Sequence, residues 1–143
     1  MSSCSLVIRA FNEERHIGRL LEGVRSQTIQ DVEIILVDSG STDATAAIAA
    51  QYGAGVIHIP PAEFTFGRSL NLGLAAATTD LVAIASAHVY PVYPDWLERL
   101  LEPFADPAVA LTYGKQRGDE NSKFSERQIF ARWFPEESVA HQT

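Results

Sequence analysis

Five short apolar runs, each but the last followed by a helical period, constrain this chain more than any other feature. The runs are Ser5-Leu6-Val7-Ile8, Val32 to Val37, Gly55 to Ile59, Leu81 to Ala85 and Val109 to Tyr113. They do not alternate apolar with polar, as a half-buried strand would. Strands covered on both faces read this way, and such strands belong to parallel sheets. The segments between them have the other period. Ile17, Leu20, Leu21 and Val24 stand at i, i+3, i+4 and i+7, one buried helical face. Asp43 to Tyr52 is an Ala-rich helix stopped by Gly53, and Gly67 to Ala77 a third helix with Leu70 and Leu74 inward. Pro94 opens a fourth, with Leu97, Leu100, Leu101 and Phe104 inside. Phe124 to Phe134 has helical character after a charged loop, Lys115 to Lys123. The order is β-α-β-α-β-α-β-α-β: an α/β fold of three layers, a mostly parallel sheet with helices on both faces. Its crossovers should be right-handed.

At 143 residues the chain suits one domain, 1–143, around a single core. Its net charge of −7 argues against a general nucleic-acid binder, which carries a basic patch. A small basic pocket for phosphates remains compatible with it. Cys4 is the single cysteine, so there is no internal disulfide and no Cys-based zinc site. No signal peptide and no apolar run near the roughly 20 residues of a membrane span is present. The expectation is a cytoplasmic domain.

Open parallel sheets bind ligands beyond the carboxyl ends of their strands. After the first run comes Arg9-Ala10-Phe11-Asn12-Glu13. After the second comes Asp38-Ser39-Gly40-Ser41-Thr42-Asp43. After the fourth comes Ser86-Ala87-His88, and after the fifth Gly114, Lys115 and Arg117. Asn12 is also placed to cap the first helix, with Glu13 and Glu14 in its first turn. Asp38 is the strongest single candidate. A carboxylate at a strand end accepts hydrogen bonds from a ribose or a base N–H. Gly40 lets backbone approach a ligand closely. There is no Gly-x-Gly-x-x-Gly after the first run and no P-loop, so any nucleotide is held by another arrangement. His16, His58 and His141 show no metal-like spacing and read as structural or surface residues. Tyr90 and Tyr93 suit either sugar stacking or loop packing, and Trp96 helix core.

The stretch from Ser5 to Glu14 (Ser-Leu-Val-Ile-Arg-Ala-Phe-Asn-Glu-Glu), then Ser26-Gln27-Thr28, then Glu33-Ile-Ile-Leu-Val-Asp-Ser-Gly-Ser-Thr-Asp43, resembles the N-terminal half of family 2 glycosyltransferases, which have the GT-A fold. Gly67-x-x-x-Asn71-x-Gly73 extends the likeness, which covers Ser5 to about Gly114. The Val-Asp-Ser-Gly-Ser variant is most similar to the rhamnosyltransferase-type branch.

The resemblance implies a domain that binds a nucleoside diphosphate sugar and passes the sugar to an acceptor hydroxyl with inversion. The acceptor would be a glycan or a lipid-linked molecule, in polysaccharide biosynthesis. Ala10, Phe11, Asn12 and Glu13 match the base and ribose pocket, with Phe11 near the base and Glu13 near the ribose. Asp38 matches the first of two paired acids, and Ser39 stands where the second would be. Arg68 is near a cation expected to face the diphosphate. Ser86-Ala87-His88 occupies the place of the metal-binding Asp-x-Asp.

Imidazole suits Mn²⁺ or a later transition metal and serves Mg²⁺ poorly. Three readings of His88 stay open: a metal ligand, a direct metal-free contact to the diphosphate, or a loop histidine. Arg68, Lys115 and Arg117 could share the phosphate charge. The family's general base is an acid beyond the fifth strand. Glu126, Glu136 and Glu137 lie in the tail, but no motif marks one of them. The chain is therefore expected to stop before the acceptor region, leaving apolar surface that favours self-association. Two other classes are a non-catalytic nucleotide-binding or interaction module and, ranked low, a sugar nucleotidyltransferase.

Overall fold

The computed structural model describes residues 4–134. Met1 to Ser3 and the tail with Glu136, Glu137 and His141 lie outside the described residues. Four parallel strands form one sheet in the order β3-β2-β1-β4. They are β1 (Cys4–Ala10), β2 (Val32–Asp38), β3 (Gly55–His58) and β4 (Val82–Ser86). The helices are α1 (Ile17–Arg25), α2 (Thr45–Gln51), α3 (Phe66–Ala76), α4 (Trp96–Leu101) and α5 (Phe124–Trp133).

The strand period sorts side chains between two layers. Leu6, Ile8 and Ala10 of β1 and Leu36 of β2 join Ile17, Leu20, Leu21 and Val24 of α1 and Ala49 of α2. Val7, Ile35 and Val37 point the other way and cluster with Ile59. On that second face α3 lies against the sheet through Gly73, whose Cα faces Val7 and Val37. Helices therefore cover both faces, which is why β1 and β2 are apolar on both.

Ser26-Gln27-Thr28 has a structural use. Gln27 is buried at 3% exposure. Its Nε2 donates to the carbonyls of Gly23 and Tyr93, and its Oε1 accepts the Leu97 N–H at 3.1 Å. One side chain thus ties the end of α1 to the start of α4, and the Thr28 N–H adds a bond to the Pro94 carbonyl at 2.7 Å. Gln27→Ala strands a buried N–H and a carbonyl together. The expected loss is about 1–3 kcal/mol in urea unfolding, and Gln27→Glu should cost at least as much, because it turns a buried carboxylate oxygen toward the Gly23 and Tyr93 carbonyls.

Three sequence expectations need correction. Val109 to Tyr113 is not a strand. Among the described residues it joins no ladder, and Leu111 is 81% exposed. The Thr112 hydroxyl instead bonds the Leu100 carbonyl at the end of α4. An apolar run becomes a strand only with a ladder partner, and this segment lies against α4, not the sheet. Asn12 does not cap α1, which begins at Ile17 with no side-chain cap. Asn12 sits at φ 53°, a left-handed conformation that asparagine tolerates, and serves another loop. Leu74 is not inward but 41% exposed, because α3 packs through Ser69 and Gly73, one turn apart. Large residues cannot occupy so close a helix–sheet contact.

Among the described residues no helix is long and apolar enough to cross a membrane. Leu111, Tyr113, Phe124 and Trp133 are all more than 60% exposed in this chain.

Candidate functional site

The loops after β1, β2 and β4 meet at the carboxyl edge of the sheet. Register brings Ala10 opposite Asp38 and Arg9 opposite Ser86. Each loop is then tied to its neighbour. The Ser39 N–H bonds the Ala10 carbonyl at 3.0 Å. The Asn12 N–H donates to the Ser41 hydroxyl, and Asn12 Oδ1 accepts the Thr42 N–H at 2.8 Å. The Glu13 N–H donates to the Thr45 hydroxyl at 2.8 Å. Glu14 closes the set: its N–H reaches Asp43, and its carboxylate accepts the Ala44 N–H. Burial pushes the Asp43 carboxyl up, but the Thr45 hydroxyl, the Thr45 N–H and the Glu14 N–H together hold it below its ordinary range.

Asp38 lies at the bottom of this edge, 1% exposed. Its Oδ2 accepts the Gly40 N–H at 3.3 Å and the Ser41 N–H at 3.1 Å, an Asx-type turn. Its Oδ1 is buried without a partner among the described residues. A buried carboxylate oxygen without a donor is uncommon in a native fold and suits a donor brought by a ligand. Gly40 is at φ 87°, and a Cβ there would lie 2.6 Å from Pro61 Cγ, so this turn requires glycine.

The expected site residues divide. Phe11 is 55% exposed at the rim. Ala10, Ser39 and Ala87 are buried and shape the floor. Glu13 and His88, from the loops after the neighbouring strands β1 and β4, meet with Oε1 and Nδ1 at 3.1 Å. The Ser86 hydroxyl stands 3.3 Å from the same imidazole. Arg68, in the first turn of α3, does not join this group: its guanidinium pairs with Glu63 at 2.5 Å. Arg117 donates to the carbonyls of Gln116 and Phe134, in the segment that forms no strand.

One residue at this edge was not foreseen as part of it. His58 ends β3, opposite Asp38 in register, and its Nδ1 lies 3.2 Å from Asp38 Oδ2. The sequence run continues to Ile59, so only the observed end of β3 and its register place His58 beside Asp38.

Among the described residues no group of three or more His, Cys, Asp or Glu side chains could hold a metal. Glu13 and His88 offer one carboxylate oxygen and one imidazole nitrogen. That donor set fits a manganese-type ion whose remaining ligands come from a bound phosphate group. It does not make a resident metal centre by itself.

A cleft of about 880 Å³ lies elsewhere, lined by Ile29, Leu81, Glu98, Leu101 and Phe104 among others. Ile29 and Leu81 precede β2 and β4, so it opens at the amino edge. On its wall Arg99 is paired with Asp95, and Glu98 and Glu102 leave it net acidic, which disfavours a phosphate ligand.

A parallel sheet whose strand-end loops gather polar side chains at its carboxyl edge is an α/β arrangement with its candidate site at that edge. The chain belongs to glycosyl transferase family 2, whose model matches residues 5–141. It is 32% identical over 118 residues to the O-antigen chain rhamnosyltransferase WbaN of Salmonella anatum, covering 81% of this chain and 38% of that protein. It is 34% identical over 106 residues to a 4,4'-diaponeurosporenoate glycosyltransferase of Staphylococcus aureus, covering 71% and 28%. The chain thus spans about a third of the length of these relatives.

Among solved structures it is similar to glucosyl-3-phosphoglycerate synthase from Mycobacterium tuberculosis in complex with Mn²⁺, UDP and glucosyl-3-phosphoglycerate. The TM-score is 0.61 and the identity 28%, over 72% of this chain and 39% of that one. The mannosyltransferase PcManGT from Pyrobaculum calidifontis, in complex with GDP-Man and Mn²⁺, shares the fold at a TM-score of 0.68. Its identity is 23%, over 74% of this chain and 33% of that one. The GT-A expectation for the fold is met.

Proposed function

We propose that the carboxyl edge binds a nucleoside diphosphate sugar and that this domain is the donor half of an inverting glycosyltransferase. The acceptor hydroxyl would belong to a glycan or a lipid-linked molecule. One observation carries the reading: Asp38 is buried at the strand ends with one oxygen holding its own loop and the other without a donor. A base or ribose donor satisfies that oxygen while Phe11 covers the flat face of the base. Glu13 and His88 then stand on the phosphate side, beside Ser86. Manganese, when bound there with the diphosphate, supplies positive charge to the leaving group. Glu13 and His88 hold that ion, or His88 donates directly to a phosphate oxygen. Family membership supports the reaction class. The names of the relatives support a sugar donor without fixing which sugar.

Calorimetric titration of UDP, dTDP and GDP, each with Mn²⁺ and with EDTA, tests the reading. At least one should bind. Binding lost in EDTA supports the metal arrangement, and binding kept in EDTA supports the direct His88 contact. No binding to any of them contradicts the proposal. Binding without donor-sugar hydrolysis or transfer would favour a nucleotide-binding module. His88→Ala should weaken nucleoside diphosphate binding about tenfold or more and leave nucleoside binding within about twofold, because a charge-assisted hydrogen bond is lost only at the phosphates. Equal losses for both ligands would remove His88 from the phosphate side.

A further inference from the structure

Arg9 is an arginine of this edge, set inside β1, whose charge meets no carboxylate among the described residues. It is next to last in β1, between Val37 of β2 and Ser86 of β4. By strand alternation it shares the face of Val7, the face covered by α3. Its Nε is buried with no hydrogen-bond partner, and among the described residues no carboxylate pairs with its guanidinium. What it does touch is Phe66, the first residue of α3: the guanidinium carbon lies 4.9 Å from the ring centroid. The ring itself is 68% exposed, so its position is not explained by core packing.

A partly buried cation that stacks on an aromatic face is held in place without being neutralised. Placing arginine inside a strand, on a face otherwise filled by valine and isoleucine, is costly unless an anion completes it. The other cations considered for the phosphates, Lys115 among them, have contacts of their own. Arg68 is paired with Glu63, and Arg117 donates to two carbonyls.

Resting on the donor site proposed above, we propose that Arg9 is the side chain that grips the donor's diphosphate, with Phe66 as its shelf and Ser86 beside it. Its planar fork matches two phosphate oxygens at once, which an ammonium cannot do. The site would then take the diphosphate between Arg9 on the α3 side and His88 in the loop after β4. Phe66 sets the direction of the fork as a positioning residue.

The test uses the full chain and UDP, dTDP and GDP, each compared with its own nucleoside. Arg9→Gln should lower affinity for the nucleoside diphosphate that binds about ten- to a hundredfold, and for the nucleoside by less than about twofold. Arg9→Lys keeps the charge but not the fork and should fall between. Phe66→Leu leaves the cation without its shelf and should cost a smaller part of the diphosphate affinity. It also reads the inference if Arg9→Gln fails to fold. The loss at Arg9 should exceed that of Arg68→Gln. Wild-type binding with unchanged affinity in Arg9→Gln and Phe66→Leu overturns the role of Arg9 and leaves the donor site standing. Equal losses for nucleoside and diphosphate make Arg9 a structural residue and likewise overturn it. A wild-type chain that binds none of the nucleotides overturns the donor site, and this inference with it.

Discussion

An Asp38→Ala chain loses nucleotide affinity and stability together, whereas Asp38→Asn separates the two. Asp38 Oδ2 is the acceptor for the Gly40 and Ser41 N–H groups. Alanine leaves both without a partner at a half-buried turn, an expected cost of about 1–3 kcal/mol in thermal or urea unfolding. Asparagine keeps an acceptor oxygen for the turn, so its melting should stay near that of the wild type. It gives up the negative charge that a base N–H or ribose hydroxyl would meet. A hydrogen bond to a charged group contributes about 1.5–3 kcal/mol, so Asp38→Asn should weaken nucleoside and nucleoside diphosphate binding alike, about ten- to a hundredfold. That equal loss is the signature of a residue on the nucleoside side, opposite to the pattern expected at His88 and Arg9. Full affinity in Asp38→Asn would reduce Asp38 to a turn residue.

The second large effect is remote from the edge. A Cβ on Gly73 would stand 2.4 Å from Val7 Cγ1 and 3.1 Å from Val37 Cγ2, both in the core between α3 and the sheet. Alanine in a helix gains about 1 kcal/mol over glycine from propensity alone. Overpacking a close contact costs about 1–3 kcal/mol, and two β-branched valines yield little. The net expectation for Gly73→Ala is a loss of up to about 2 kcal/mol, and for Gly73→Leu about 3 kcal/mol or more. If the contact with Val7 is the cause, Gly73→Ala made in a Val7→Ala background should cost less than it does alone. Additive losses would place the strain elsewhere. Because α3 carries Phe66 in its first turn against Arg9, lifting it off the sheet should also lower diphosphate affinity.

The layered architecture was legible because the physics that builds it is written in short periods. Val7, Ile8, Leu36 and Val37 are apolar in sequence since β1 and β2 are covered twice, and the observed strands begin and end within two residues of the expected ones. What failed depended on partners a period does not name. Val109 to Tyr113 has strand composition but no strand beside it. Leu74 has helical spacing, yet α3 turns its small residues inward. Asn12 has the chemistry of a helix cap and the backbone of a left-handed turn.

The site was legible at the level of loops. Strand ends gather at one edge, so the segments after β1, β2 and β4 had to meet. Which side chains pair across that edge was not legible. Glu13 and His88 are 75 residues apart in sequence, and only the parallel register of β1 with β4 brings their loops together. His58 reads in sequence as a structural or surface histidine, because the histidines show no metal-like spacing. Register places it against Asp38. Arg9 looked like one polar residue in a motif. Its meaning comes from what it lacks among the described residues, a carboxylate partner, which only three dimensions display.

The most direct measurement is hydrogen exchange by mass spectrometry on the full chain, with UDP, dTDP or GDP and Mn²⁺ added in turn. The account predicts that one nucleotide slows exchange in the segments containing Arg9 to Glu13, Asp38 to Thr42 and Ser86 to His88 together. Protection confined to the amino edge around Ile29, Leu81 and Leu101, or absent with all three nucleotides, would contradict it.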